Sequence, residues 1–317
     1  MNLELLLKNT PFLGTAFLLA LLIAFFWLAF YYHSSKKLTT PQTFLLRIFF
    51  LGMGIAIVAA FLERGILANF FPKEISFIFC QGKTIRTPDE CLFIFIFSSL
   101  FIALPEEFLK FIFFRKLILP SAKLNQIIDG IKSGIVLGLG FGTIENMVIF
   151  FTYLSGYSSV SPITIANLFL MRLLVPTLAH SIYGGIMGYY LSLAKFHKIF
   201  QQRFLWQGFL TSFFLHSLFN FLIFTPLVLL TALLLIFTLL ILLKWYSDRE
   251  NFQLMLKKQS INLNPPLLTE PQEMQALISK NLPKFGLLKH LGICPFCFKK
   301  LKIVKGRCSY CGRPISF

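Results

Sequence analysis

The stretch "LVLLTALLLIFTLLILL", residues 227–243, contains no charged side chain. A helix needs about 20 mostly apolar residues to cross the hydrocarbon core of a bilayer. Inside that core every backbone polar group must be bonded within the protein, which leaves only helices or closed barrels. Seven predominantly apolar runs long enough for this occur, at roughly 11–32, 43–62, 92–114, 133–152, 163–193, 205–223 and 226–243. They are long and unbroken, whereas barrel strands alternate over about ten residues. The expected fold class is therefore an all-α polytopic membrane protein with about seven transmembrane helices. The composition agrees: 56% of residues are hydrophobic and 14% charged, against about 25% charged in a soluble domain. The first run lacks a basic leader and a small-residue cleavage site, so it reads as a true span rather than a signal peptide.

Charge in the short loops sets the expected orientation. Lys36 and Lys37 lie in loop 33–42, Arg115, Lys116, Lys123 and Lys132 in 115–132, and Lys195, Lys198 and Arg203 in 194–204. Residues 153–162 and the turn "FTP" at 224–226 carry no charge, and loop 63–91 is mixed. Cytoplasmic loops carry the Lys/Arg excess, so the N-terminus is expected outside and the C-terminus inside. The formal charge of +17 then reflects topology and the tail, and gives little support to nucleic-acid binding.

Residues 1–245 read as the membrane domain, 246–290 as a cytoplasmic linker containing "NLNPPLLTEPQ", and 291–317 as a small separate module. The module ends in "CPFCFKKLKIVKGRCSYCGRP". Cys294, Cys297, Cys308 and Cys311 form two CxxC pairs, the ligand pattern of a tetrahedral structural zinc site. A four-cysteine shell leaves no open position for chemistry. A zinc ribbon here suits a docking or regulatory role, toward a cytoplasmic partner or, through its basic surroundings, anionic lipid. Cys80 and Cys91 flank the longest outer loop, and either a disulfide or two free thiols fits them.

Ionisable residues at membrane depth are costly and mark function or a buried pair. Glu106, Glu107 and Glu145 are the acids placed well inside a predicted span, and His180 and His216 the histidines. Counted from the nearest cytoplasmic basic residue, Glu106, Glu145, His180 and His216 lie about 14–22 Å deep at 1.5 Å per residue. Four helices thus place an acid or imidazole in one slab, as expected of a shared, water-accessible cavity. Glu106 and Glu107 stand four and three residues before Lys110, a spacing that pairs side chains on a helix. His216 and Asn220 share a face, and Arg172 and His180, eight apart, also fall nearly on one face of a continuous helix. Gly134, Gly138 and Gly142 recur every four residues, a pattern that lets a second helix approach. Each feature has a plain alternative as an ion pair or packing residue. Their common depth favours a site.

These residues also carry a family likeness. "EEFLK" (106–110), "FGTIEN" (141–146), His180 in "LAHSIYGG" and "HSLFN" (216–220) follow in order on successive spans. The set resembles the PrsW-type intramembrane proteases, distant relatives of the CAAX-processing and bacteriocin-processing membrane proteases, over roughly residues 40–225. The second motif ends in Glu145, where the CAAX group usually has His, which points to the PrsW branch. The zinc ribbon looks like an appendage. The resemblance implies hydrolysis of a peptide bond in a membrane-anchored protein, an anti-sigma factor in some members, and a bacterial inner membrane location. It also implies an active-site set of Glu106, Glu107, Glu145, His180, His216 and Asn220, with Lys110, Asn146 and Arg172 in support.

Two mechanisms fit these residue types. In one, Glu106 or Glu107 is the general base, His180 positions the water, and His216 and Asn220 donate to the oxyanion. In the other, His180, His216 and one or two glutamates hold a second zinc with an open water position. The absence of HExxH tilts the reading toward the metal-free version. A proton-coupled transporter or channel, or a non-catalytic scaffold carrying a docking ribbon, is the alternative from another class.

Overall fold

The computed structural model describes residues 10–34, 40–70, 88–156, 161–197, 200–224, 227–258, 303–304 and 307–308. In chain order the helices are α1 (Thr10–Ser34), α2 (Gln42–Phe70), α3 (Pro88–Phe97), α4 (Leu104–Phe113), α5 (Ile127–Gly156), α6 (Pro162–Leu174), α7 (Pro176–Phe196), α8 (Gln201–Phe224) and α9 (Val228–Lys258). The architecture is that of an all-α integral membrane protein. Phe25, Phe61 and Leu229 are each more than 70% exposed, and apolar groups so placed need lipid rather than water around them.

Five segments are long and apolar enough to cross a membrane: Phe12–Phe30, Gln42–Glu63, Ile127–Ser155, Pro162–Phe196 and Leu229–Arg249. The other two expected spans are helical but differ in character. Residues 88–118 form one rod in which α4 is flanked by two π-helical turns, Ser98–Ala103 and Phe114–Ile118. The Leu104 amide donates to the Ser99 carbonyl, one residue beyond the α-helical partner. Pro105 directly follows and has no N–H to give, so the widened turn sits where the α-helical ladder would be broken anyway. Helix α8 carries Gln202, Arg203, Gln207, Ser212, His216 and Asn220 among its apolar residues, which lowers its hydropathy.

The core is built on α5, which packs against α1, α2 and α7, while α8 packs on α7 and on the 88–118 rod. A Cβ on Gly134 would strike the Gly184 carbonyl, one on Gly138 the His180 carbonyl, and one on Gly130 the Gly188 carbonyl. Rising numbers on α5 meet falling numbers on α7, so the two helices are antiparallel with backbones in contact. The tight row is Gly130–Gly134–Gly138. It does not extend to Gly142, where a Cβ would have ordinary clearance at 3.5 Å from His180. The expected stripe is thus displaced by one turn.

The expected span 163–193 is two helices. The chain breaks at Val175 (φ −114°, ψ −78°), the residue before Pro176, where the α conformation is disfavoured. Arg172 and His180 therefore do not share one continuous helical face. Trp27 of α1 donates its indole N–H to the Leu173 carbonyl at this break, at 2.9 Å. At the N-terminus of α5, Asp129 accepts from Thr40 Oγ1 at 2.7 Å and from the Asn125 and Gln126 amides. Lys195 donates to the Ser121 and Leu124 carbonyls, fixing the turn between the 88–118 rod and α5.

Helix α9 continues past Trp245 to Lys258. In the tail, Ile303–Val304 (β1) pairs antiparallel with Arg307–Cys308 (β2). Cys80, Cys294, Cys297 and Cys311 lie outside the described residues, as do the side chains of Cys91 and Cys308. The disulfide and zinc expectations concern those groups.

Candidate active site

The π-turn before α4 and the helix itself carry "LPEEFLKFIF" into the protein interior. Glu106, Glu107 and Lys110 are all buried. Removing charges from water is expensive, and they persist only when paired with good geometry. Lys110 Nζ lies 2.8 Å from Glu107 Oε1 and 3.5 Å from Glu106 Oε2. It also lies 3.1 Å from His180 Nδ1 and 3.7 Å from the centre of the Phe141 ring. From α8, His216 Nδ1 lies 2.9 Å from Glu107 Oε1 and 3.9 Å from Glu106 Oε2. The His180 and His216 rings meet edge to face at 5.1 Å.

Donor and acceptor roles follow from chemistry. An ammonium only donates, so His180 Nδ1 accepts from Lys110. Its Nε2 then carries the proton and donates to Glu145 Oε2 at 2.5 Å. A carboxylate only accepts, so His216 donates through Nδ1 to Glu107. Glu145 is held from its other side by Arg172 Nη2 at 2.8 Å. Arg172 Nε donates to Asn146 Oδ1 at 2.6 Å, Asn146 Nδ2 to Thr177 Oγ1 at 2.9 Å, and Thr177 Oγ1 to the Arg172 carbonyl at 2.6 Å. This ring of bonds ties α5 to both sides of the Val175 break. It brings Arg172 and His180 to the same carboxylate although they sit on different helices.

Of the residues expected from sequence, Glu106, Glu107, His180 and His216 stand together, each offering a ligand atom within 4.8 Å of the others. Lys110 lies among them, and Glu145, Arg172 and Asn146 form the adjoining shell. Asn220, one turn beyond His216, is not hydrogen-bonded to the group through Nδ2, which is buried without a partner. The Tyr183 ring lies 6.0 Å from that of His216, and its buried hydroxyl also has no partner.

The donor set suits a metal such as zinc, which takes imidazole nitrogen and carboxylate oxygen. Glu106 Oε2 and Glu107 Oε2 are buried with no hydrogen-bond partner, so acceptor capacity remains for a cation. His180 also has the second-sphere arrangement of a metal-binding imidazole, with the other ring nitrogen donating to a carboxylate.

Sequence reasoning missed Glu63. The expected end of the second span at residue 62 leaves it in the outer loop. Helix α2 instead runs to Phe70, and Glu63 interacts with Glu106, Glu145 and Lys110. Its Oε1 is buried without a hydrogen-bond partner. The signal was helical periodicity: Gly52 packs against α5, Ala56 and Ala59 are buried, and Glu63 continues their face.

Comparison with known proteins agrees with the four motifs. Residues 40–244 match the family described as PrsW family intramembrane metalloprotease. Protease PrsW of Oceanobacillus iheyensis is 28% identical over 173 residues, covering 55% of this chain and 66% of the relative. Protease PrsW of Shouchella clausii is 30% identical over 159 residues, with 50% and 63% covered. Protease PrsW of Bacillus subtilis is 28% identical over 169 residues, with 53% and 64% covered. The chain thus spans just under two thirds of the length of these relatives. No solved structure matches. With its four motifs meeting in one buried cluster and its match running from residue 40 to 244, the chain belongs to the PrsW family of intramembrane metalloproteases.

Proposed function

We propose that this protein is an intramembrane peptidase that hydrolyses a peptide bond of a membrane-anchored protein, with an anti-sigma factor as the substrate type. The observation that carries the reading is the buried group of two carboxylates and two imidazoles, Glu106, Glu107, His180 and His216, within 4.8 Å. Amide hydrolysis needs a base for water, stabilisation of the developing oxyanion and a proton for the leaving amine. Glu106 has the less engaged carboxyl and is the base, while Glu107, bonded to both Lys110 and His216, is the anchor. His180, oriented by Glu145, positions the water. His216 and Asn220 serve the oxyanion, and the unpartnered Asn220 Nδ2 is a donor held in reserve for substrate.

Those are the roles without a metal; in the metal version His180, His216 and one or two of the glutamates would hold a zinc ion with an open water position, and the ion would polarise the scissile carbonyl and make bound water acidic. The family description supports this version over the metal-free one. The family's bacterial relatives support a bacterial plasma membrane, and the loop charges support a cytoplasmic C-terminus. Residues 1–245 then form the peptidase domain and 246–290 a linker. Residues 291–317 form a structural zinc ribbon held by Cys294, Cys297, Cys308 and Cys311. The β1–β2 hairpin is consistent with such a module.

The test is a tagged single-span substrate co-expressed with the protein. Wild type should release a fragment, and Glu106→Gln, Glu107→Gln and His216→Ala should not at equal expression. Continued cleavage by all three would remove this site from consideration. Proton-coupled flux without any cleavage would favour a transporter.

A further inference from the structure

The Lys110 ammonium stands among the donors that would hold a metal. It lies 2.8 Å from Glu107 Oε1, 3.1 Å from His180 Nδ1 and 3.5 Å from Glu106 Oε2, touching three of the four clustered residues. The His180 lone pair a metal would need is the one accepting from Lys110. Two cations cannot share that space, because repulsion at such separations is strong in a low-dielectric interior.

A further buried carboxyl acts on the ammonium from α2. Glu63 interacts with both Lys110 and Glu106, and its buried Oε1 has no hydrogen-bond partner. A buried carboxyl oxygen left unpaired is costly, and an ammonium turned toward it would remove that cost. The flexible four-carbon stem of lysine permits the movement, whereas the rigid fork of arginine would not.

We propose that Lys110 is the resident cation of the Glu106/Glu107/His180/His216 cluster, and that binding of a divalent metal ion requires its ammonium to withdraw from those donors toward Glu63. Lys110 then acts as a built-in competitor that keeps the two buried carboxylates compensated when no metal is bound. Glu63 is the residue that makes exchange between the two states affordable in free energy. The inference rests on the metal-binding version of the proposed function.

The test is zinc affinity, measured by chelator competition on the purified full-length chain. Cys294→Ser, Cys297→Ser, Cys308→Ser and Cys311→Ser are included to remove the tail site. In that background Lys110→Met should tighten zinc binding by about tenfold or more, and Lys110→Arg should weaken it. Glu63→Gln should weaken binding when Lys110 is present and have no effect in the Lys110→Met protein. Zinc binding that is unchanged or weaker in Lys110→Met overturns the proposal while leaving the metal site standing. No zinc binding in any of the proteins overturns both. If Lys110→Met does not fold without metal, Lys110→Arg and Glu63→Gln decide: unchanged affinity in both overturns the proposal.

Discussion

Helices α5 and α9 are both long enough to span a bilayer, yet they solve opposite problems. In the apolar stretch of α5, 67% of residues are buried; in that of α9, 22% are. The buried helix is the less apolar of the two. It carries Asp129, Lys132, Ser133, Thr143, Glu145 and Asn146 along with six glycines, while the apolar run of α9 is mostly leucine. In water the order would be reversed. In lipid, an apolar side chain gains nothing by facing inward, so helix association depends on close backbone contact and hydrogen bonds. Polarity therefore marks the inside of this molecule, and lipid-facing helices can be nearly featureless.

That contrast can be broken or sharpened by substitution. The largest effect is expected at the polar centre. Glu107→Gln removes the negative charge shared by Lys110 and His216, and should lower cleavage of the tagged substrate by about 10²–10⁴-fold, the range for a lost general acid–base group or its anchor. Next comes the α5–α7 contact. Gly134→Leu places a side chain where the Gly184 carbonyl lies and should cost about 1–3 kcal/mol, the range for overpacking, read as loss of thermal stability in detergent. Arg172→Ala should lower kcat by about 10–100-fold, the usual effect of losing an outer-shell partner, with KM little changed. Arg172→Lys should recover part of that loss. The smallest effect is expected on the lipid face, where Leu229→Ala should change stability by no more than about 0.5 kcal/mol. A large loss at Leu229 would show that α9 is covered by protein on that side.

The polar centre was legible because its residues violate the rule of their surroundings. A glutamate pair and a lysine in "ALPEEFLKFIFF" have no plain role in lipid, and three further apolar runs repeat the anomaly at similar depth. Where the chain bends was harder to see. Hydropathy is continuous through "LLVPTLAH", so residues 163–193 read as one span, although Pro176 marks the break at Val175. The continuation of α2 to Phe70 was hidden for a related reason: charge at Glu63 and Arg64 looked like a loop, when Glu63 instead faces Glu106, Glu145 and Lys110 from within the helix. Spacing of three and four predicted that Lys110 meets Glu107 and Glu106. It could not predict that His180, seventy residues away, completes the ammonium's surroundings, since that depends on the depth to which α5 and α7 interlock.

The bond from Trp27 to the Leu173 carbonyl has a consequence for assembly. Helix α1 lies before residue 40, where the shared family stretch begins, and could be mistaken for a removable anchor. Its indole partner is 146 residues later in the chain, at the break that precedes His180. During synthesis α1 must wait for four more rods before this bond can close. A chain shortened at its N-terminus would keep every motif residue and yet lose the strut beneath them.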